Sequence, residues 1–284
     1  KPGNGQIASV ALMDARSIAA TAVNKGFLTS AENIDVEFTK PKYFFNKSVY
    51  DNRVYQGFGK ADTSVELKLG PNITDWPEMV ALPENLLVKV VSLITDPVTT
   101  TDELIPSGET SSYRSNPLGL AEFTLSRKDP AYVGRAKEVQ VAEKAIEAGN
   151  CPSQAFPEVK PIMDTIKTKF TISRDVMGIG STIFAVKPGD GSAREQAASC
   201  QKVLGGWANI AREYATKRYR SNLINWGMLP FIFDEENLPF ENGDYVFIPQ
   251  VAQGIKDKKS EFTAYVVRNG EMKEFTLKMG ELTD

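Results

Sequence analysis

The sequence predicts an α/β fold, because segments typical of strands alternate with segments typical of helices from about residue 84 onward. Apolar residues make up 42% of the 284 residues and aromatic residues 10%, a composition that supports a buried core. The 33 lysines and arginines nearly balance the 36 aspartates and glutamates, for a net charge of −3. This balance favours neither a nucleic-acid partner nor an anionic membrane surface, and we expect neither.

The first 80 residues differ from the rest in their sequence pattern. Residues 12–26 predict a helix that Asp14 caps and Gly26 ends. The polar stretch 31–80, with its aromatic cluster YFFNKSVY, predicts an extended arm with little regular structure. Such an arm is unusual inside one compact domain. We therefore interpret residues 1–30 as the tail of a preceding domain, 31–80 as a linker and 81–284 as the main domain of an excised piece.

The main domain shows the alternation of strands and helices directly. Its predicted strands are NLLVKVVSLI, IKTKFTIS, STIFAV, MLPFIF and YVFIPQ. Helices are predicted over 129–149, where Gly149 ends the pattern, from the GDGSAREQAA segment to about Lys202, and over YATKRYRSNLINWG. The segment ANIARE fits either a helix or a strand, and KDKKSEF predicts a turn before EFTAYVV.

Cysteine and histidine usage limits the available chemistry. The chain has two cysteines, Cys151 and Cys200, and no histidine. Two unclustered cysteines favour a reducing compartment over a disulfide framework, and we expect a cytoplasmic protein. No spacing predicts a metal site, and neither cysteine receives a role. Without histidine, acid–base chemistry must come from carboxylates, hydroxyls or lysines.

The segment GDGSAREQAA follows a predicted strand and opens a predicted helix. Free N–H groups at a helix N-terminus attract an anion, and Gly189 and Gly191 permit close backbone approach. Arg194 opposes the helix dipole in the first turn unless it shares an anion with those amides. The alternative is an ordinary capped helix, with Ser192 as the N-cap and Glu195 completing a capping box.

A second polar segment, TTTDELIPSGETSSYRSN, surrounds Arg114 with hydroxyl groups. A capping pattern fits either Thr99 with Asp102 or Thr100 with Glu103. An arginine in this setting can bind a carboxylate or simply be solvated, and the segment alone supports both interpretations.

Taken in order, these segments resemble the C-terminal part of the aconitase family. TTDELIPSG followed by SSYRSN is similar to the family's TTD-H-I…G segment and the arginine beyond it. GDGSAREQAA resembles the G-x-G-S-S-R-E-H-A signature, and NLINWGMLPF the N-L…G-L-L-P stretch. The resemblance covers nearly the whole chain and is weakest over 31–80. It implies a swivelling β/β/α domain for about residues 81–284.

Members of that family dehydrate and rehydrate a hydroxy-polycarboxylate on a [4Fe–4S] cluster. The resemblance implies that Ser192 is the base, that Arg114 and Arg194 bind substrate carboxylates, and that Gly191 and Ala193 line the substrate site. It also implies that cluster-bearing N-terminal domains of the same protein hold the cofactor. The expected partners are those domains and a small di- or tricarboxylate, and this chain alone is expected to be an inactive part of a hydro-lyase.

Three positions depart from the family pattern. Ala193 replaces the family's second serine, Gln196 replaces the histidine after Arg-Glu, and Glu103 replaces the histidine of TTDH. The loss of a serine hydroxyl removes one substrate hydrogen bond, so the departures predict a divergent hydratase rather than an ordinary aconitase.

The sequence is also compatible with two alternative functions. The basic cluster KRYR at 217–220, together with the polar arm, could bind RNA, although such a cluster on a helix is more often a solvated face. The chain could instead be a separate carboxylate-binding small subunit, as in isopropylmalate isomerases, that waits for a cluster-bearing partner.

Overall fold

The computed structural model describes residues 10–33, 35, 39–53, 57–173 and 176–280. Contacts divide the chain into two compact units, with the boundary between Glu66 and Leu67. The three-part division at residues 30 and 80 stays a prediction. Across the described residues, none of the helices is both long enough and apolar enough to cross a membrane.

The first unit contains the predicted N-terminal helix, α1 (Ala15–Val23). Asp14 Oδ1 accepts hydrogen bonds from the Arg16 N–H at 2.8 Å and the Ser17 N–H at 3.1 Å, so the predicted N-cap is confirmed. Beyond the helix, Gly26 adopts φ +91°. A glycine with positive φ just past the last turn is a common helix stop, which agrees with the predicted end.

The arm has little regular structure where it is described, as predicted. Within 31–80, the described residues form one 3₁₀ turn (Ala31–Asn33) and one short helix, α2 (Lys47–Asp51). Asn46 caps α2 by accepting a hydrogen bond from the Ser48 N–H at 3.0 Å.

The second unit alternates strands and helices, and the predicted α/β class is confirmed. Its elements are β1 (Asn85–Ile94), β2 (Thr99–Thr100), α3 (Thr101–Leu104), a 3₁₀ turn (Ser111–Tyr113), α4 (Pro117–Ala121), α5 (Tyr132–Glu147), α6 (Pro152–Ala155), α7 (Val159–Lys167), β3 (Met177–Ala185), β4 (Pro188–Asp190), α8 (Arg194–Val203), β5 (Gly206–Ala211), α9 (Lys217–Asn225), β6 (Leu229–Ile232), β7 (Tyr245–Ile248), α10 (Val251–Lys256), β8 (Glu261–Arg268) and β9 (Glu271–Lys278).

The longer strands form a closed barrel in the order β1-β3-β5-β6-β9-β8-β7. Strands β1, β3, β5 and β6 are parallel neighbours, whereas β7, β8 and β9 are antiparallel. The two halves join where β1 pairs with β7 over Leu86–Lys89, and where β6 meets β9 at the pair Ile232 and Lys278. The short strands β2 and β4 form a separate parallel pair.

Strand β1 is buried on both faces, which explains its nearly continuous apolar sequence. Leu86 and Val88 belong to a cluster inside the barrel that includes Phe231. The alternate residue Leu87 belongs to a second cluster, which lies between the barrel and the helices and includes Val139 of α5. Alternating side chains therefore hold the strand between two cores.

Two segments differ from their predicted structure. IKTKFTIS is not a strand: Ile166 and Lys167 end α7, and the residues after them lie outside any strand. Val159, Met163 and Ile166 are buried at helical spacing, and this period outweighs the β propensity of the segment. The predicted turn KDKKSEF is too long at both ends, because Lys256 still belongs to α10 and Glu261 and Phe262 already belong to β8. The ambiguous ANIARE lies mostly in strand β5.

A closed ring of buried polar side chains joins β5, α8 and α9. Asn209 Nδ2 donates to Gln201 Oε1 at 2.7 Å, and Gln201 Nε2 donates to the Tyr219 hydroxyl at 2.9 Å. The Tyr219 hydroxyl donates to Asn209 Oδ1 at 2.7 Å, and all three residues are at most 1% exposed. Burial of polar groups costs little only when each is hydrogen-bonded, and the ring meets that requirement.

Replacing Tyr219 with phenylalanine should lower the free energy of unfolding by about 1–3 kcal/mol, because Asn209 Oδ1 loses its donor while the ring packing stays. Denaturant titration would measure the change. Tyr113→Phe is the matched control, since Tyr113 is half-buried and its hydroxyl makes no hydrogen bond to a described residue. Equal losses of unfolding free energy in the two variants would contradict a stabilising role for the hydrogen-bonded ring of Asn209, Gln201 and Tyr219.

Candidate functional site

The β2–β4 pair brings together the two polar segments singled out in the sequence. Thr99 lies opposite Pro188 and Thr100 opposite Asp190. The Thr99 N–H also donates to the Lys187 carbonyl at 3.0 Å. The loop that carries Arg114 and the loop that leads into α8 are therefore neighbours, although about 90 residues separate them in the sequence.

The glycines of the GDG turn are required by both conformation and close contact. Gly189 has φ +96° and Gly191 φ +136°, values that side-chain-bearing residues rarely adopt. A Cβ on Gly191 would lie 2.1 Å from Thr101 Oγ1, and one on Gly189 would lie 2.4 Å from the Tyr219 ring. The turn thus packs tightly against α3 on one side and α9 on the other.

Helix α8 begins without a side-chain cap. Its N-cap is Ala193, with φ −81° and ψ 44°, so no cap hydrogen bond comes from a side chain there. The alternative reading, with Ser192 as N-cap and Glu195 closing a capping box, is therefore wrong. The first-turn N–H groups keep their capacity to bind an anion. Ser192 is exposed beside them. Arg194 opens the helix, but its side chain lies outside what the structure describes.

In the segment that carries Arg114, Thr100 and Glu103 cap helix α3, which is one of the two capping patterns that the sequence predicted. The Glu103 N–H donates to Thr100 Oγ1 at 3.2 Å, and the Thr100 N–H donates to Glu103 Oε2 at 2.7 Å. Partial burial tends to raise the pKa of Glu103, but hydrogen bonds from Thr100 and Lys128 outweigh it and hold the pKa below its usual value. Glu103, which replaces a family histidine, thus forms part of the capping box of helix α3.

Arg114 differs from the other cations around this loop. It is exposed at the end of the 3₁₀ turn and makes no hydrogen bond or ion pair with any described residue. The nearby carboxylates, in contrast, all pair with other cations. These pairs are Arg127 with Asp102 (3.0 Å) and Glu109 (2.9 Å), and Lys128 with Asp96 (2.9 Å) and Glu103 (3.3 Å). The Arg114 guanidinium is therefore available to a carboxylate from outside.

A small pocket joins Arg114 to the start of α8. Its volume is about 20 Å³, and Arg114, Ala193 and Gln196 line it together with Ile105, Ser107, Thr110 and Leu120. This volume holds one water molecule but no di- or tricarboxylate. Two of the predicted substrate-site residues, Arg114 and Ala193, thus meet at one place. Gln196, at the position of a family histidine, faces the same pocket.

The cysteines do not form a metal centre. Cys151 is half-buried beside Ser153 (3.1 Å), and Cys200 is buried in α8, where burial raises the pKa of its thiol to about 12. In the described part of the chain, no group of three or more His, Cys, Asp or Glu residues could hold a metal ion. These residues do not fit an iron–sulfur cluster, which requires several thiolates at one site.

The KRYR segment does not form a continuous basic surface. Tyr219 is fully buried, and Arg220 Nη2 donates to the Gly280 carbonyl at 2.6 Å. Lys217 and Arg218 are exposed in the first turn of α9, where Thr216 is the N-cap.

Comparison with known families identifies the region around the GDG turn. Residues 141–236 match the family model of the aconitase C-terminal domain. Residues 141–236 are therefore similar to the aconitase C-terminal domain. The matched region includes Gly191, Ser192, Ala193 and Arg194, whereas Arg114 lies outside it.

The chain is also similar to one curated protein and to one solved structure. The chain is 33% identical over 112 residues to aconitate hydratase A of Rickettsia bellii (strain RML369-C). That match covers 38% of this chain and only 12% of the relative's length. A crystal structure of 3-isopropylmalate dehydratase from Methanocaldococcus jannaschii aligns over 70% of this chain and 84% of that one, with 21% identity and a TM-score of 0.41.

Proposed function

We propose that this chain is the carboxylate-binding part of an aconitase-like hydro-lyase that adds and removes water at a hydroxy-polycarboxylate. The observation that carries the proposal is the shared pocket of Arg114 and the uncapped N-terminus of α8. A guanidinium without a carboxylate partner and free helix N–H groups both favour an anionic ligand. The proposal includes a swivelling β/β/α domain over 81–284, supported by the joined parallel and antiparallel halves of the barrel.

Ser192 is the proposed base. A serine hydroxyl is a weak base at neutral pH, so its alkoxide requires donors and positive charge nearby. Ser192 lies just before α8, where the helix N–H groups and the positive end of the helix dipole supply both. The Ser192 alkoxide would take a proton from a substrate carbon and so become the neutral hydroxyl, while Gly191 lets the backbone turn sharply beside it.

Arg114 and Arg194 are the proposed carboxylate ligands. Arginine suits this role because its planar fork can hold both oxygens of a carboxylate. A substrate held at two carboxylates keeps the reacting C–H bond aligned with Ser192, and such alignment contributes strongly to rate. Ala193, where the family has a serine, offers no hydroxyl to the substrate, so the proposed substrate differs from citrate in the group that contacts this position.

The remaining machinery would lie outside this chain. The pocket at Arg114 is too small to enclose a tricarboxylate, and the cysteines do not fit an iron–sulfur cluster. We therefore place the cluster and the opposite wall of the active site on cluster-bearing domains that pack on this loop face.

A ligand titration of this chain tests the proposal. Tricarballylate, citrate and isopropylmalate should produce saturable NMR shifts at the amides of Ala193 and Gln196. Arg114→Ala should weaken that binding about 10- to 100-fold, since a charge-assisted pair contributes about 1.5–3 kcal/mol.

Lys160→Ala is the matched control, because it removes an exposed cation of α7 that pairs with Asp164 and lines no part of the site. It should leave the affinity unchanged. Equal losses in both variants, or no saturable binding by the folded wild-type chain, would contradict a carboxylate site preformed in this chain.

A further inference from the structure

A second and larger pocket lies at the other end of α8. Helix α8 spans ten residues, or about 15 Å, and Lys202 is in its last turn. The pocket has a volume of about 130 Å³. Its lining residues are Pro77, Glu78, Met79, Val80, Leu118, Gln140, Glu143, Lys144, Glu147, Lys202, Val203, Gly205 and Trp207. None of them lines the pocket at Arg114, so the two sites are separate.

The Lys202 ammonium is buried in this pocket without an acceptor. The residue is 8% exposed, and its Nζ lies 3.4 Å from the centroid of the Trp207 ring. It makes no hydrogen bond or ion pair with any described residue. A cation–π contact offsets part of the cost of burying the charge, but the three N–H donors still need acceptors.

The nearby carboxyl group of Glu143 does not supply that acceptor. Glu143 is 7% exposed, and its Oε2 accepts a hydrogen bond from the Ile179 N–H at 2.6 Å. Burial raises the pKa of Glu143 to about 7, even though the Ile179 bond and Lys202 lower it. Near neutral pH this carboxyl group is therefore partly protonated. The buried charge of the pocket then lies between zero and +1.

We propose that this pocket binds a small monocarboxylate with a short aliphatic body. Its carboxylate would accept hydrogen bonds from the Lys202 ammonium, and its aliphatic part would pack against Met79, Val80 and Leu118. An apolar cavity of about 150 Å³ holds a benzene ring, so this pocket suits a ligand of roughly six heavy atoms, such as butyrate. The inference is independent of the hydro-lyase proposal.

An anion is favoured over a cation by the donors and charges that face the pocket. None of the three Lys202 N–H donors has an acceptor among the described residues. The Glu143 carboxyl group, in contrast, already accepts a hydrogen bond at one oxygen and is partly protonated near neutral pH. The other charged groups at the pocket carry a net charge of −1, but they are exposed, so solvent screens their effect on an anion bound at the buried ammonium. They are Glu78, Lys144 and Glu147.

Binding of an anion should be coupled to proton uptake. A carboxylate beside Glu143 favours its protonated form, so the pKa of Glu143 is higher in the complex than its free value of about 7. The affinity is therefore greatest below pH 7 and falls, by up to tenfold per pH unit, as the pH rises above it. Loss of the Lys202 proton adds to the fall above about pH 8, where burial has lowered the pKa of that amine.

Titration of the whole chain with butyrate, butyramide and butylamine tests this inference, with the Trp207 indole NMR signal as the readout. Butyrate should shift the signal saturably, and the isosteric amide and amine should not. Lys202→Met should abolish the shift. Lys144→Met, which removes an exposed lysine of the same pocket, should change the affinity less than threefold. Glu143→Gln should keep the binding but remove its decline between pH 7 and 8.

Saturation by butylamine, or by butyramide as well as butyrate, would overturn the proposed ligand class. Absence of a saturable butyrate shift in wild-type protein would overturn the site itself, whether or not Lys202→Met folds. Each result is independent of tricarballylate binding at Ala193 and Gln196.

Discussion

Replacing Ser192, the proposed base, with alanine should lower kcat of the proposed hydro-lyase by about 10²- to 10⁴-fold, the usual contribution of a positioned base. The substrate KM should change little, because the substitution leaves the proposed carboxylate ligands, Arg114 and Arg194, in place. Ser192 is exposed at the uncapped start of α8 and packs in no core, so the loss would come from the missing hydroxyl and not from unfolding. Steady-state kinetics over a range of substrate concentrations separates kcat from KM.

Ser260→Ala provides the matched control for this prediction, since Ser260 is an exposed serine just before β8. It should retain full turnover. If the Ser192 variant keeps turnover within tenfold of the wild type, Ser192 is not the base and the proton must leave by another route.

Replacing Gly189 with alanine should destabilise the chain by about 2–5 kcal/mol. Part of this loss comes from holding a side-chain-bearing residue at φ +96°, which costs about 1–2 kcal/mol. The rest comes from the new Cβ, which would lie 2.4–2.5 Å from three carbon atoms of Tyr219. Tyr219 is held in the buried ring with Asn209 and Gln201, so it cannot move aside freely.

Gly227→Ala separates these two contributions. Gly227 has φ +68°, and a Cβ there would meet no atom within 4 Å. This variant should lose only the conformational part, about 1–2 kcal/mol. Denaturant unfolding of both variants gives the comparison. Equal losses would show that Tyr219 yields to the new methyl group.

Local sequence signals predicted the elements whose structure depends on near neighbours. The apolar run of β1, the Asp14 cap of α1 and the Thr100–Glu103 capping box all follow from residues a few positions apart. Strand β9 could also have been predicted, because the dipeptide Asn269–Gly270 is typical of a two-residue hairpin turn. In the structure both residues have positive φ and join β8 to β9.

Non-local contacts account for what the sequence could not predict. Closure of the barrel depends on β6 meeting β9, and no local pattern encodes that pairing. In the candidate site, the GDG turn was recognisable alone, but its proximity to Arg114 depends on β2 pairing with β4. The burial of Lys202 and Glu143 could not be predicted either, because only the packing of α5 and α8 on the barrel removes these charged residues from water.

The uneven closure of the barrel bears on how the protein behaves at high concentration. Strands β8 and β9 share eight residue pairs, whereas β6 and β9 share only Ile232 with Lys278. A fluctuation that separates β6 from β9 exposes two strand edges at once, and one of them is the apolar strand β6 (Leu229–Ile232). Exposed edges invite pairing between molecules, and Pro230, which has no N–H to donate, limits how well this one can serve as a template.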